Sequence, residues 1–112
     1  MAKVDITDKI EIMATLEERM NITLSGLSAF IDHDDIEDMF IMIYGDVTTR
    51  DGQALPHNIK LIAAVYDTTD RIIGKSDYSL FEEDFFCMET FQMMINIPLN
   101  SISKIRIYPN KN

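Results

Sequence analysis

Residues 91–97 read FQMMINI, and the alternation in this stretch decides the fold class. Every second position is apolar, and these positions are Phe91, Met93, Ile95 and Ile97. Because successive side chains of a β-strand point to opposite faces, a period of two predicts a strand with one buried face. Pro98 ends the stretch, since proline has no N–H to donate within a sheet.

Short apolar patterns of the same kind recur along the chain, with turn residues between them. They predict further strands in residues 4–13, 20–31, 39–44, 58–66, 71–80 and 104–108. The run 39–44, MFIMIY, is typical of a strand that is covered on both faces in the middle of a sheet. The buried face changes parity across Ser25 and Gly26, which predicts a β-bulge at Gly26.

This series of short strands without a long helix predicts an all-β protein. Strands with one apolar face must pack two sheets together, so we expect an immunoglobulin-like antiparallel β-sandwich of six to eight strands. The 112 residues suffice for one packed core, and we expect a single domain over residues 1–112. Residues 1–19 fit two interpretations. One is a strand up to about Met13, and the other is a short helix before Met20 with a capping box of Thr15 and Glu18.

The chain is acidic, with 10 Lys and Arg against 19 Asp and Glu and a net charge of −9. It has no cluster of Lys or Arg, which excludes nucleic acid and anionic membrane surfaces as partners. No apolar run approaches the roughly 20 residues that span a bilayer, and residues 1–12 lack the pattern of a signal peptide. A lone Cys87 cannot form an internal disulfide, so the residues leave the cellular compartment open.

The tripeptide Val65-Tyr66-Asp67 resembles the signature of the FxLYD domains, which are small bacterial immunoglobulin-like modules. The flanking residues strengthen the resemblance over about residues 40–108, in the order Gly45, Asp51-Gly52, residues 55–60 (LPHNIK), Gly74 and Glu89-Thr90-Phe91. Ala63 stands where the motif has its aromatic residue. The resemblance implies a β-sandwich that is often found outside the cytoplasm, and it brings no catalytic residues.

Tyr66 and Asp67 also have a physical interpretation of their own. A tyrosine can bury its ring between two sheets while its hydroxyl finds a backbone partner. An aspartate can cap a turn through its own carboxylate. We therefore expect structural roles for Tyr66 between the sheets and for Asp67 in the turn that follows it.

Residues 32–38, DHDDIED, are the most acidic stretch and lie between two predicted strands. Carboxylate-rich loops at one end of a sandwich can gather the six to eight oxygens that Ca²⁺ prefers. If strand directions bring a second turn to the same end, the ligands would be Asp32, Asp34, Asp35, Asp67 and Asp70. The spacing lacks the pattern of an EF-hand, so a solvated acidic loop is the competing interpretation.

Residues 80–88, LFEEDFFCM, combine aromatic side chains with a short acidic run. In an inter-strand loop, not all of Phe81, Phe85 and Phe86 need to reach the core. The exposed remainder would form an apolar patch rimmed with charge, which indicates a surface for a protein partner or for self-association. The competing interpretation is that the aromatic side chains plug an open end of the sandwich.

The eight methionines raise the question of soft-metal binding, because thioethers are ligands for Cu(I). Met39, Met42 and Met93 lie inside predicted strands, however, where methionine fills irregular gaps in a core. We therefore expect these methionines to be core residues.

Motifs for catalysis are missing from the sequence. It contains no Gly-x-Ser-x-Gly, no glycine-rich phosphate loop and no His-Glu-x-x-His. We therefore expect neither an enzyme nor a bound cofactor. The sequence predicts a non-catalytic interaction or accessory module that binds another protein or self-associates, with a Ca²⁺-binding module as the alternative and an enzyme as the least favoured interpretation.

Overall fold

A computed structural model describes residues 2–33, 39–52, 54–97 and 102–111 of the chain. Its strands are β1 (Ala2–Asp5), β2 (Ile10–Ile12), β3 (Ile22–His33), β4 (Met39–Thr49), β5 (Ile59–Asp67), β6 (Ile72–Leu80), β7 (Met88–Ile97) and β8 (Ile102–Lys111). One α-helix, α1 (Ala14–Arg19), and one turn of 3-10 helix, Thr7–Lys9, lie between the first strands.

The strands form two sheets of four. The first sheet has the order β1-β3-β4-β7 and the second has the order β2-β8-β5-β6. All neighbours pair antiparallel except β2 and β8, which are parallel. The predicted all-β sandwich is confirmed, and its strand number lies at the upper end of the expected range.

The core lies between the two sheets and follows the alternation that the sequence shows. Phe91, Met93, Ile95 and Ile97 of β7 are all buried, whereas Gln92, Met94 and Asn96 face solvent. Gly45 of β4 provides room for this packing. A Cβ at that position would lie 2.6 Å from Leu27 Cδ2 and 2.8 Å from Phe91 Cζ, so any larger residue would push these core side chains apart.

The predicted bulge at Gly26 is confirmed. The register between β3 and β4 shifts between Ser25 and Ser28, and Gly26 has a φ of +60°. Glycine adopts this left-handed conformation without a steric penalty. The shift keeps the apolar residues on both sides of the bulge directed at the core.

The first 19 residues contain both structures that the sequence left open. Residues 2–12 form two short strands, β1 in the first sheet and β2 in the second, and α1 follows them. The predicted capping box is wrong, because Met13 occupies the N-cap and no side chain caps the helix. Glu17 instead fixes the helix to β3, since its buried carboxylate accepts a hydrogen bond of 3.0 Å from the Leu24 amide.

Strand β4 lies in the middle of its sheet, as predicted, but only one of its faces is covered. Ile41 and Ile43 are fully buried, whereas Tyr44 is 37% exposed and Met42 is only partly buried. The expectation of a strand buried on both faces is therefore wrong. An uninterrupted apolar run predicted burial, and in this strand half of the run faces solvent.

Candidate functional site

The solvent side of the first sheet carries the largest concentration of exposed apolar side chains. Cross-strand pairing places these side chains in rows, so that Phe30 of β3, Met42 of β4 and Met94 of β7 stand side by side. We call this surface the open face and define it by Phe30, Met42, Tyr44, Met88 and Met94. Directly opposed residues on one face of a sheet have side chains in contact range, so Phe30, Met42 and Met94 form one apolar row. Tyr44 stands between Ser28 and Gln92, and Met88 stands beside Thr48.

Two methionines on the edge strand make this surface accessible. Met88 is 58% exposed and Met94 is 59% exposed. Monomeric proteins normally expose apolar residues singly, and contiguous apolar patches mark sites of interaction. Methionine is also frequent on binding surfaces because its flexible thioether adapts to different partners.

A cavity of about 200 Å³ opens on the open face and is lined by Phe30, Asp32, Met42 and Tyr44. The Oδ1 atom of Asp32 is buried and has no hydrogen-bond partner among the described residues. A buried oxygen without a partner costs free energy, more so when it carries charge. The cavity therefore combines aromatic and thioether walls with one unsatisfied carboxylate oxygen.

Two further carboxylates lie on the same side of the first sheet. Asp5 stands opposite Phe30, and Asp46 accepts a hydrogen bond of 2.7 Å from the Thr90 hydroxyl. The Thr7 side chain and amide bind the Asp5 carboxylate, which lowers the pKa of Asp5 below its usual value. The carboxylates of Asp5, Asp32 and Asp46 outnumber the one basic residue that strand pairing places on this face, Lys3, so the formal charge of the face is negative.

The aromatic segment before β7 divides between core and surface. Phe85 is 4% exposed and belongs to the core, so it is not available as a contact residue. Phe86 is 84% exposed and Phe81 is 48% exposed. Burial in the core was the competing interpretation of this segment, and it applies to Phe85. Phe81 and Phe86 remain as the exposed aromatic side chains.

The backbone beside Phe86 is held by specific contacts. Cys87 has a φ of +71°, its carbonyl accepts a hydrogen bond of 3.2 Å from the Thr49 amide, and its Sγ donates to the Gly52 carbonyl at 3.0 Å. These contacts tie the segment to the end of β4. Phe86 is therefore presented to solvent next to Met88, at one end of the open face.

The solvent side of the second sheet is organised differently. Ile62 and Ala64 point to this side but are 7% and 1% exposed. Their cross-strand neighbours on β8 are Tyr108 and Arg106, whose side chains are long enough to cover them. We call this surface the covered face and define it by Ile62, Ala64, Tyr66, Arg106 and Tyr108.

Tyr66 lies on the covered face and not between the sheets, so the expected position of its ring is wrong. Lys104 Nζ and Arg106 Cζ each lie 5.2 Å from the centre of the ring. The same cations have acidic partners: Lys104 is 3.3 Å from Asp70, and Arg106 is 3.4 Å from Glu11. A second cavity of about 200 Å³ beside Arg106 is lined by Met13, Leu16, Tyr66, Arg106 and Tyr108. The basic groups beside it already have partners within the chain.

The strands that precede the two acidic stretches, β3 and β5, end at the same end of the sandwich. Gly74 packs against Ile97 and Tyr78 bonds to Glu89, so β6 and β7 run in opposite directions. The strand pairings then require β3 and β5 to run the same way and to end at the same end. This is the geometry on which the calcium hypothesis depends.

The described calcium candidates have other partners or lie apart. Asp67 caps its own turn, as predicted, by accepting hydrogen bonds from the Thr69 and Arg71 amides, and the Arg71 amide is the largest cause of its lowered pKa. Asp70 pairs with Lys104, and Asp32 lines the cavity of the open face. Asp34 and Asp35 lie outside the described residues, so the calcium site stays a prediction.

Metal-binding and membrane-spanning features were sought in the part of the chain that the structure describes. Within it, no three His, Cys, Asp or Glu side chains gather at a distance suited to one metal ion. The helices of this part include none with the length and hydropathy needed to cross a bilayer.

The open face is the feature that sequence reasoning missed. Met42 was expected in the core because it lies in an apolar run. In such a run both faces of the strand are apolar, so no alternation shows which face is exposed. The available signal was the neighbouring strand, where Gln92 and Asn96 alternate with the core residues and place Met94 on the solvent side. Comparison of the chain with protein-family models, with curated proteins and with solved structures gives no match. The resemblance to the FxLYD domains therefore stays a prediction.

Proposed function

We propose that this chain is a non-catalytic interaction module that binds another protein through the open face. The observation that carries the proposal is the apolar row of Phe30, Met42 and Met94 across one face of a four-stranded sheet, together with the exposed side chains of Tyr44 and Met88 on the same face. Paired strands hold the backbone of these residues, so the backbone needs no further ordering when a partner binds. Phe86 extends this surface at one end as a projecting aromatic side chain, the kind that contributes most to binding at interfaces.

The charge of the open face favours a different protein over a second copy of the chain. Two copies that met through this face would bring the carboxylates of Asp5, Asp32 and Asp46 from both copies into one interface. Like charges across an interface cost free energy and suppress such pairings. A partner with an apolar surface flanked by lysine or arginine fits both the shape and the charge.

Selection from a random-peptide display library tests the proposal without a known partner. The wild-type chain is the bait, and selected peptides are measured against the variant Tyr44→Ser/Met94→Ser. We expect the peptides to bind this variant at least about tenfold more weakly, which corresponds to about 1.4 kcal/mol. Circular dichroism and thermal melts establish that the variant is folded.

Ile72→Ser is the matched control. Ile72 is 57% exposed, close to the value for Met94, but it belongs to the second sheet. We expect this control to bind the selected peptides as the wild type does. Equal affinity for the open-face variant, or a wild-type dimer in sedimentation that the same variant dissociates, would contradict the proposal. An unchanged affinity in Phe86→Ser would remove Phe86 from the contact surface.

A further inference from the structure

We infer that the cavity of the open face binds the side-chain cation of a lysine or arginine carried by the partner. This inference rests on the proposed function and adds the chemistry that the partner presents. The carrying observation is the meeting of two aromatic residues, Phe30 and Tyr44, with a buried carboxylate oxygen of Asp32 that has no hydrogen-bond partner among the described residues.

The walls of the cavity suit a cation with an apolar stem. The negative face of an aromatic ring attracts ammonium and guanidinium groups, and the attraction grows when water is excluded. Met42, between Phe30 and Met94 in the row, supplies an adaptable apolar contact for the methylene groups of such a side chain. A volume of about 200 Å³ is several times that of a water molecule, which occupies roughly 30 Å³ in the liquid.

Asp32 gives the cavity its preference for positive charge. A bound ammonium or guanidinium group would donate to Oδ1, and hydrogen bonds between charged groups are about twice as strong as neutral ones. Asp5 and Asp46 lie on the same face and add a negative potential around the cavity. An anionic ligand would meet repulsion from all three carboxylates, so the charge selects a cation.

Lys3 is the residue of the chain that bears on this inference. It stands opposite Asp32 in the pairing of β1 and β3, and its side chain lies outside the described part of the chain. An ammonium from Lys3 and one from a partner would compete for the same carboxylate. The experiment therefore includes the variant Lys3→Ala.

Nuclear magnetic resonance with ¹³C-methyl methionine tests the inference on the intact chain, with the Met42 methyl signal as the reporter. The probes are n-butylammonium and n-propylguanidinium chlorides, which distinguish lysine from arginine chemistry. Neutral n-butanol and sodium chloride are the matched controls. We expect saturable shifts of the Met42 signal with a cationic probe, and shifts at least about tenfold smaller with n-butanol at the same concentration.

The variant Asp32→Asn should weaken binding of the cationic probe at least about tenfold. Asp77→Asn is its control, since it removes the same charge from an exposed position of β6 in the second sheet, and it should leave binding unchanged. Tighter binding in Lys3→Ala would support the same chemistry, because it would show that an ammonium group of the chain competes for Asp32. Equal shifts with n-butanol, or unchanged binding in Asp32→Asn, would overturn the inference.

The inference and the proposed function can fail separately. If selected peptides depend on Tyr44 and Met94 while no cationic probe moves the Met42 signal, the open face binds a partner without a cation in the cavity. If the peptides are indifferent to these residues as well, the proposed function fails with the inference.

Discussion

The two sheets differ in how the apolar side chains on their solvent sides are covered. Each central strand places apolar residues on its outer side: Met42 on β4 and Ile62 on β5. In the second sheet, Arg106 and Tyr108 are the neighbours of Ala64 and Ile62 on the adjacent strand, and Ile62 is buried. In the first sheet, the corresponding neighbours are Phe30 and Met94, which are themselves apolar.

The difference lies in which residue type stands beside the apolar one. Long amphipathic side chains such as arginine and tyrosine cover apolar surface with their stems and keep their polar ends in water. Methionine and phenylalanine have no polar end, so a row of them stays unsatisfied by the chain itself. A sheet face of the first kind is covered when the chain folds, whereas one of the second kind keeps apolar surface exposed, and we propose that a partner covers it.

The largest expected effect comes from replacing the central outer residue of each sheet by serine. Ile62→Ser removes a buried side chain and places a hydroxyl under Tyr108, so we expect a loss of about 3 kcal/mol in the free energy of unfolding. Met42→Ser, on the open face, should cost about 1 kcal/mol. Urea denaturation of both variants measures the difference, and equal losses would show that the two faces are not distinct.

Removal of the cover should have a smaller effect. Tyr108→Ala exposes Ile62 and should lower the free energy of unfolding by about 2 kcal/mol, since a half-buried aromatic ring is lost. Met94→Ala truncates an exposed side chain and should change it by less than about 0.5 kcal/mol. Thermal melts compare the two, and a loss in Met94→Ala as large as in Tyr108→Ala would indicate that the open face contributes to folding.

A third effect concerns the edge where the sheets meet. The Tyr78 hydroxyl donates a 2.7 Å hydrogen bond to Glu89, and this bond raises the pKa of Tyr78 above 10.0. Because the folded state favours the protonated phenol, the stabilisation is complete below the ordinary pKa and is lost as the pH rises through the raised one. Tyr78→Phe should therefore flatten the loss of stability above about pH 10, measured by denaturation at a series of pH values. An unchanged slope in that variant would assign the alkaline loss to other groups.

The smallest effect is expected at low pH, in one turn beside each sheet. Hydrogen bonds donated by Thr7 lower the pKa of Asp5 from 3.8, and hydrogen bonds donated by Arg71 and Thr69 lower that of Asp67 from the same value. The folded state stabilises the ionised form of both carboxyl groups. Their contribution to the free energy of unfolding is therefore present above pH 3.8 and is lost as the pH falls through the lowered pKa values. Asp67→Asn should remove this acid dependence at the 67–71 hairpin only. Amide hydrogen exchange measures it, and faster exchange at both turns would show that they are coupled.

Much of the fold was predictable because one sheet face obeys a simple rule. The alternation at Phe91, Met93 and Ile95 marks the buried side of β7, and the parity change at Gly26 marks the bulge. The N-terminal segment was less predictable, since Ile6 and Ile10 fit both a strand and a helix. Their position was decided by pairing and packing with distant parts of the chain, which local periodicity does not report.

The site was less predictable than the fold. Adjacent Phe85 and Phe86 have the same local sequence signal, but one is buried and the other projects into solvent. The residue after them, Cys87, has a φ of +71°, a backbone conformation that its residue type does not favour and that local sequence does not indicate. The exposure of Ile62 and Met42 could not be predicted from local sequence either, because it depends on which residue the neighbouring strand places beside each of them.

The position of β8 has a consequence for the time course of folding. This strand lies inside the second sheet, between β2 and β5, so the pairing of Glu11 with Arg106 joins positions 95 residues apart. Contacts between such distant positions slow folding, because closing the long loop between them costs entropy before the stabilising contacts form. All four strands of the first sheet precede β8 in the chain, so during synthesis its apolar inner face awaits the completed second sheet. Apolar surface that is not yet covered in a folding chain promotes aggregation and binding by chaperones.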